Sequence, residues 1–272
     1  MTRFCVFTPT RLPGIDVTFF SVARQVLDDD DELMWIVADE IDRDLPVPNN
    51  VNEMASIKVP WEPGNTRNLA RAYNYGLRMA REWDADLFVS LQDYIWAPEH
   101  GLKLFESVVQ AAAERDEHKL LITGYCDISA DPYPESIVDR ENKATIFGVP
   151  FEGKPTDIAW QDARRTNFNT VGKDPGAIRQ VSAVEWETNW AAIPKTALFD
   201  ERLAFPEEFD SAVAYENQAY AFLAQQHDYV VVIDPRNAAI SLPHKKYWPE
   251  YDATEAPLTK INEQRTQEMF GV

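Results

Sequence analysis

Asp93 closes the run Asp86-Leu87-Phe88-Val89-Ser90-Leu91-Gln92-Asp93, a carboxylate set just beyond a short apolar strand. In open α/β sheets ligands gather at the carboxyl ends of strands, and an acid there suits a hard divalent cation. Capping of the next turn is the competing role. Two similar endings accompany it: Thr8-Pro9-Thr10-Arg11 after one apolar run, and Asp39-Glu40 after another. Together they would line one edge of a sheet. Farther along, Glu216 opens a helix-like stretch and His244 follows the last strong apolar run. Imidazole readily completes a metal site that a carboxylate begins. Asp93 and His244 are therefore the candidate metal ligands, while Glu216 could equally be an ordinary helix-start acid. His100, His118 and His227 stand in polar, helix-flanking stretches and read as surface.

Arg67, Arg71, Asn74 and Arg78 recur at helical spacing, opposite an apolar face of Leu69, Tyr73, Leu77 and Ala80. Gly64-Asn65 precedes them, and a helix start offers N–H groups and a dipole that favour an anion. A guanidinium fork fits phosphate oxygens, so Arg67 and Arg71 are candidate phosphate ligands. A solvated charged face is the plain alternative.

Those arginines stand out because the chain is acidic: 45 Asp and Glu against 26 Lys and Arg over 272 residues, a net charge of −19. Such a surface repels polyanions and argues against non-specific nucleic-acid binding. Any anionic ligand then needs a local cation. No apolar run reaches membrane-span length and the amino terminus lacks a signal-peptide pattern, so a cytoplasmic protein is expected. Cys5 and Cys126 sit in apolar strand-like runs and are expected to be buried free thiols.

The elements that must position these groups alternate. Strands are expected at 4–7, 33–38, 57–60, 86–91 and 120–125, with helices at 17–27, 66–83 and 102–113 between them. That order implies βαβ units and a mostly parallel central sheet flanked by helices. From 127 to 179 the pattern dissolves into turn-rich sequence, expected as loops and short strands that could close over a ligand. A strand entering a turn at 185–194, a helix at 217–226, a strand at 229–233 and a final helix at 258–269 follow. One sheet-centred domain over 1–272 is expected, with 1–125 a nucleotide-binding half, 126–244 an acceptor half and 245–272 a tail.

This order of motifs resembles the GT-A-fold glycosyltransferases of the family 2 type, over roughly Phe4 to His244. Thr8-Pro9-Thr10-Arg11 looks like that family's opening loop beside the nucleotide base, and Val37-Ala38-Asp39-Glu40 like its second-strand acid. Asn68 to Leu77 is similar to its "ArN-G" helix. Leu91-Gln92-Asp93 resembles a degenerate DxD motif, and Phe199-Asp200-Glu201 with Glu216-Asn217 resembles the later "fDE … ED" region. His244 falls where the family often has a metal-binding histidine. The resemblance implies a nucleotide-sugar donor, UDP-linked by preference with GDP or dTDP possible, and a Mn2+ or Mg2+ ion. It assigns Thr8, Pro9, Arg11 and Asp39 to the nucleotide, Glu216 to the catalytic base, and a glycan, protein or other hydroxyl as acceptor. Trp186 and Trp190 would then stack on sugar rings.

Two departures matter. Leu91 replaces the first acid of DxD, and Asn217 stands where inverting members carry the catalytic Asp. The leading expectation is a metal-dependent, inverting glycosyltransferase. A GT-A scaffold that binds a nucleotide sugar or glycan without turnover, and a nucleotidyltransferase, are the competing classes. The last would open with a Gly-rich basic loop, and Gly14 stands alone in that region.

Overall fold

The structure is a computed structural model that describes residues 1–10, 16–39, 45–58, 68–129, 158–160, 162, 164, 177–211, 214–241 and 256–271. Three apolar runs become the parallel strands β1 (Arg3–Thr10), β2 (Glu32–Asp39) and β4 (Leu87–Leu91), with β3 (Glu53–Lys58) outside β2. Their side chains alternate between two buried faces, which is why each run is apolar throughout. Cys5, Phe7, Met34, Ile36 and Phe88 face α2 (Leu69–Glu82) and the helix Glu216–Gln226. Phe4, Val6, Leu33, Trp35, Val37 and Val89 face α1 (Asp16–Ala23) and α3 (Gly101–Ala113).

The sheet is mostly parallel, as expected, but mixed rather than purely so. Its order is β3-β2-β1-β4-β9-β6-β10-β5, with β6 at Leu120–Ser129, β9 at Trp190–Pro194, β10 at Val230–Ser241 and β5 at Ile95–Trp96. β9 runs antiparallel to both β4 and β6 and fills the gap between them. An antiparallel partner needs no helical crossover, so a strand from late in the chain can enter there without disturbing the βαβ units. The edge strands β7 (Ile158–Trp160) and β8 (Arg179–Val181) pair with β6 and β10. β10 is longer than its apolar core suggests: a register shift between Ile233 and Ala238 carries it on to Ser241, opposite Ile95. The tail helix runs Ala256–Phe270. Both cysteines are buried and free, as expected. Among the described residues no helix is long and apolar enough to cross a membrane.

Trp190 locks β9 into this arrangement. Its indole N–H donates to Asn237 Oδ1 at 2.8 Å and its ring packs 4.8 Å from Phe105. Gly124 on β6 lies against that ring: an added Cβ would meet Trp190 at 2.3 Å and the Asn237 carbonyl oxygen at 2.6 Å. Gly124→Ala is expected to cost about 1–3 kcal/mol of stability through overpacking, read as a lower urea midpoint.

Candidate functional site

The carboxyl ends of β1, β2 and β4 form one edge, as the acid-ended strands imply. Thr10 pairs in register with Asp39, and its hydroxyl donates to Asp93 Oδ2 at 2.8 Å. Asp93 is 5% exposed, so this carboxylate is held inside the edge by a neighbouring hydroxyl. Asp39 is buried at the end of β2 and Pro9 is half-buried between Thr8 and Thr10. Thr8 corrects the expectation for the opening loop. Its hydroxyl accepts the Trp35 indole N–H at 3.1 Å within the core, so it is sealed from any nucleotide. Thr10, two residues on along the same face, is the hydroxyl that reaches the site.

The start of α2 holds a second correction. The backbone N–H groups of Ala70 and Arg71 donate to the two oxygens of Asp210 at 2.7 and 3.1 Å. A protein carboxylate thus occupies the slot that a phosphate would take. Burial pushes the Asp210 carboxyl up to about 6, against the pull of those two N–H groups. The Arg71 guanidinium stands 3.6 Å from Glu207. Asn74 exchanges hydrogen bonds with the Phe205 backbone, and Arg78 stacks on Tyr75 at 4.3 Å. At Arg71 and Asn74 the polar stripe of α2 therefore holds the 205–210 segment, and the helix-start N–H groups of Ala70 and Arg71 are taken by Asp210. Arg11, Arg67 and His244 lie outside the described residues.

A cluster that the sequence reading passed over flanks Asp93 on the other side. Residues 187–189 run alongside the end of β4. The Gln92 backbone N–H donates to Asn189 O at 3.1 Å, the Gln92 side chain reaches Thr188 Oγ1 at 3.4 Å, and Ser90 Oγ donates to Thr188 O. Tyr73 from α2 shares a 2.7 Å hydrogen bond with Ser90 Oγ. Glu187 is half-buried here, and its Oε2 accepts from Asn217 Nδ2 at 3.2 Å. Glu216 is 8% exposed, at the start of a helix entered through Ala214 and Tyr215, both at positive φ (64° and 69°). Non-glycine residues in that conformation cost free energy and tend to cluster at sites. Burial raises the Glu187 carboxyl to about 7; the Arg164 guanidinium opposes the rise, and the charges of Asp162 and Glu216 add to it. Arg164 is itself engaged, pairing with Asp162 and donating to Thr123 Oγ1 at 3.1 Å and to Glu185 O at 2.6 Å.

Trp186 and Trp190 are core residues. At 0% and 1% exposed they leave no ring face for a sugar. Trp186 donates its N–H to Ile122 O at 3.2 Å and stacks on Tyr220 with ring centroids 5.4 Å apart. A period of two was the available signal: Trp186, Thr188 and Trp190 point inward and are buried, while Glu187 and Asn189 are less covered. The expected strand over 185–194 begins only at Trp190, after a 3-10 turn at Ala183–Glu185.

Among the described residues no group of three or more His, Cys, Asp and Glu side chains could hold a metal ion. β10 ends at Ser241, which pairs with Ile95, two residues beyond Asp93.

No protein-family model matches the sequence, and neither does any curated protein. Solved structures do match in fold. TarS 1-349 from S. aureus in complex with UDP superposes with a TM-score of 0.54 at 14% identity, covering 89% of this chain and 60% of that one. The same fragment with UDP-GlcNAc gives 0.52 at 14% identity, covering 89% and 58%. GalNAc-T7 with UDP, GalNAc and Mn2+ gives 0.51 at 9% identity, covering 89% and 44%. The chain thus spans well under two thirds of each of these molecules. What they share with it is architecture, and that architecture is the GT-A glycosyltransferase fold.

Proposed function

We propose that this protein transfers a sugar from a nucleotide-diphosphate donor, UDP-linked by preference, to a hydroxyl acceptor. The observation that carries the reading is the Thr10–Asp93 contact at the carboxyl ends of β1 and β4, on a fold whose solved examples hold UDP and UDP-GlcNAc. In this reading Asp39, Pro9 and Arg11 border the nucleotide. The carboxylates Glu187 and Glu216, near enough for the charge of one to act on the other, supply the base for the attacking hydroxyl. The acceptor is a glycan, protein or other hydroxyl compound.

A carboxylate held by a hydroxyl is a hard-oxygen donor, so Asp93 fits Mn2+ or Mg2+. We assign His244 as its partner, because the chain leaves β10 at Ser241 opposite Ile95. Once bound, the cation would neutralise charge growing on the leaving diphosphate. In a chain of net charge −19 that local positive charge also offsets the repulsion of an anionic donor.

Isothermal titration should show UDP binding that depends on Mn2+, weakened about 10- to 100-fold in Asp93→Ala. Absence of heat with UDP, GDP and dTDP alike, with Mn2+ present, sinks the reading. A donor-binding protein without turnover is the second reading. It is favoured by Leu91, packed in the core at the DxD position, and by Asn217, an amide in place of an acid. Hydrolysis of bound UDP-GlcNAc separates the two.

A further inference from the structure

We propose that Glu187 takes the proton from the attacking hydroxyl and that Asn217 orients it. This assignment rests on the sugar-transfer reading above. Three independent features single out Glu187. The segment that carries it is strapped to the end of β4 through Gln92, Ser90 and Thr188, one residue from the carboxylate itself. That strap fixes it beside the edge where Asp93 stands. The Asn217 amide donates to both Trp186 O and Glu187 Oε2 at 3.2 Å, so one side chain holds the backbone and the carboxylate in a fixed relation. And Glu187 is half-buried, where Trp186 and Thr188 on either side of it are sealed in the core.

The charged surroundings then tune it. Arg164 and Asp162 approach from the β7 side, Glu216 from the helix it opens, and the buried thiol of Cys126 from β6. Asp162 and its own backbone contacts engage the Arg164 guanidinium, so the cation only partly relieves burial and the like charge of Glu216. The carboxyl comes to rest at about 7. A base of that strength is half unprotonated at neutral pH and still pulls on a hydroxyl proton, the balance that general-base catalysis needs. Glu216 sits deeper, at 8% exposed, with its charge felt by the buried Tyr73 phenol.

The step balances without a further reactant. The acceptor oxygen bonds to the anomeric carbon, and the bond from that carbon to the diphosphate oxygen breaks. Its electron pair leaves with the nucleoside diphosphate, and the acceptor's proton ends on the Glu187 carboxylate.

The test uses the full chain with UDP-GlcNAc and Mn2+, water serving as acceptor, and follows kcat and UDP affinity from about pH 5 to 9. The wild type should lose kcat below about 7. Glu187→Gln should lower kcat about 100-fold and abolish that acid limb while UDP affinity holds within about threefold. Glu187→Asp, which keeps a carboxylate, should retain the limb and part of the rate. Glu216→Gln removes the neighbouring charge, so the limb should survive and move to lower pH. The reverse pattern, with the limb lost in Glu216→Gln and merely moved in Glu187→Gln, overturns the assignment in favour of Glu216. Loss of UDP affinity together with turnover in Glu187→Gln overturns it in favour of a structural role. A wild type that binds UDP but never hydrolyses the donor removes Glu187 from proton transfer and leaves a binding protein. One that binds no UDP at all removes the sugar-transfer reading and the assignment with it.

Discussion

Trp186→Ala is expected to cost about 3–5 kcal/mol of folding free energy, a large share of the roughly 5–15 kcal/mol that holds a domain together. The indole is fully buried and heads a continuous column of rings. Trp186 stacks on Tyr220 at 5.4 Å, Tyr220 on Phe205 at 4.4 Å, and Phe205 on Tyr73 at 4.5 Å. Tyr73 meets Phe7 at 4.8 Å and Phe7 meets Phe88 at 5.5 Å. The column joins the helix Glu216–Gln226, the 205 segment and α2 to β1 and β4. Truncation leaves a cavity and strands the Ile122 carbonyl that the indole N–H satisfied. Trp186→Phe keeps the stacking and forfeits the hydrogen bond, so it should cost less than half as much. Urea denaturation of both variants checks this, and equal losses would show that the column contributes nothing beyond the hydrogen bond.

That column also shows where the sequence stops being informative. β1, β2 and β4 were legible because strands covered on both faces are apolar without interruption, and α2 because Leu69, Tyr73, Leu77 and Ala80 keep one helical phase. The acid-ended edge followed from those strands alone, and the Thr10–Asp93 contact at 2.8 Å lies where they put it. β9 was not legible as the strand between β4 and β6. Which neighbours a five-residue strand takes is decided by pairing over about a hundred residues of chain, a separation on which local propensity is silent. The carboxylate at the start of α2 was hidden for the same reason, since Asp210 is 140 residues from Ala70. The two tryptophans misled for a different one. Charged and polar residues around them suggest a surface, yet alternation along an extended chain turns every second residue inward. The alternation that seals the rings in the core is what leaves Glu187 between them only half-buried.

Glu187→Gln should therefore stabilise the protein at alkaline pH while it impairs turnover. In the unfolded chain this carboxyl titrates near its ordinary 4.5, and in the fold near about 7. Between those values the folded state binds the proton that the unfolded state has released, so the contribution of this group to stability is greatest below the lower value. It falls as pH rises and is fully lost above the upper one. A shift of that size corresponds to about 3 kcal/mol at most, at about 1.4 kcal/mol for each tenfold change in proton affinity. Glutamine carries the amide oxygen that Asn217 Nδ2 needs and no charge to bury, so the variant escapes the penalty. Its unfolding free energy should exceed the wild-type value by up to about 3 kcal/mol at about pH 8, and the two should converge near pH 4 as the wild-type carboxyl takes up its proton. Denaturant curves at both pH values make the comparison, and a difference that does not change with pH would mean that Glu187 carries no buried charge. A chain that keeps such a carboxylate beside its strand edge, at a standing cost to its own stability, has the pattern expected where a group is retained for chemistry rather than for packing.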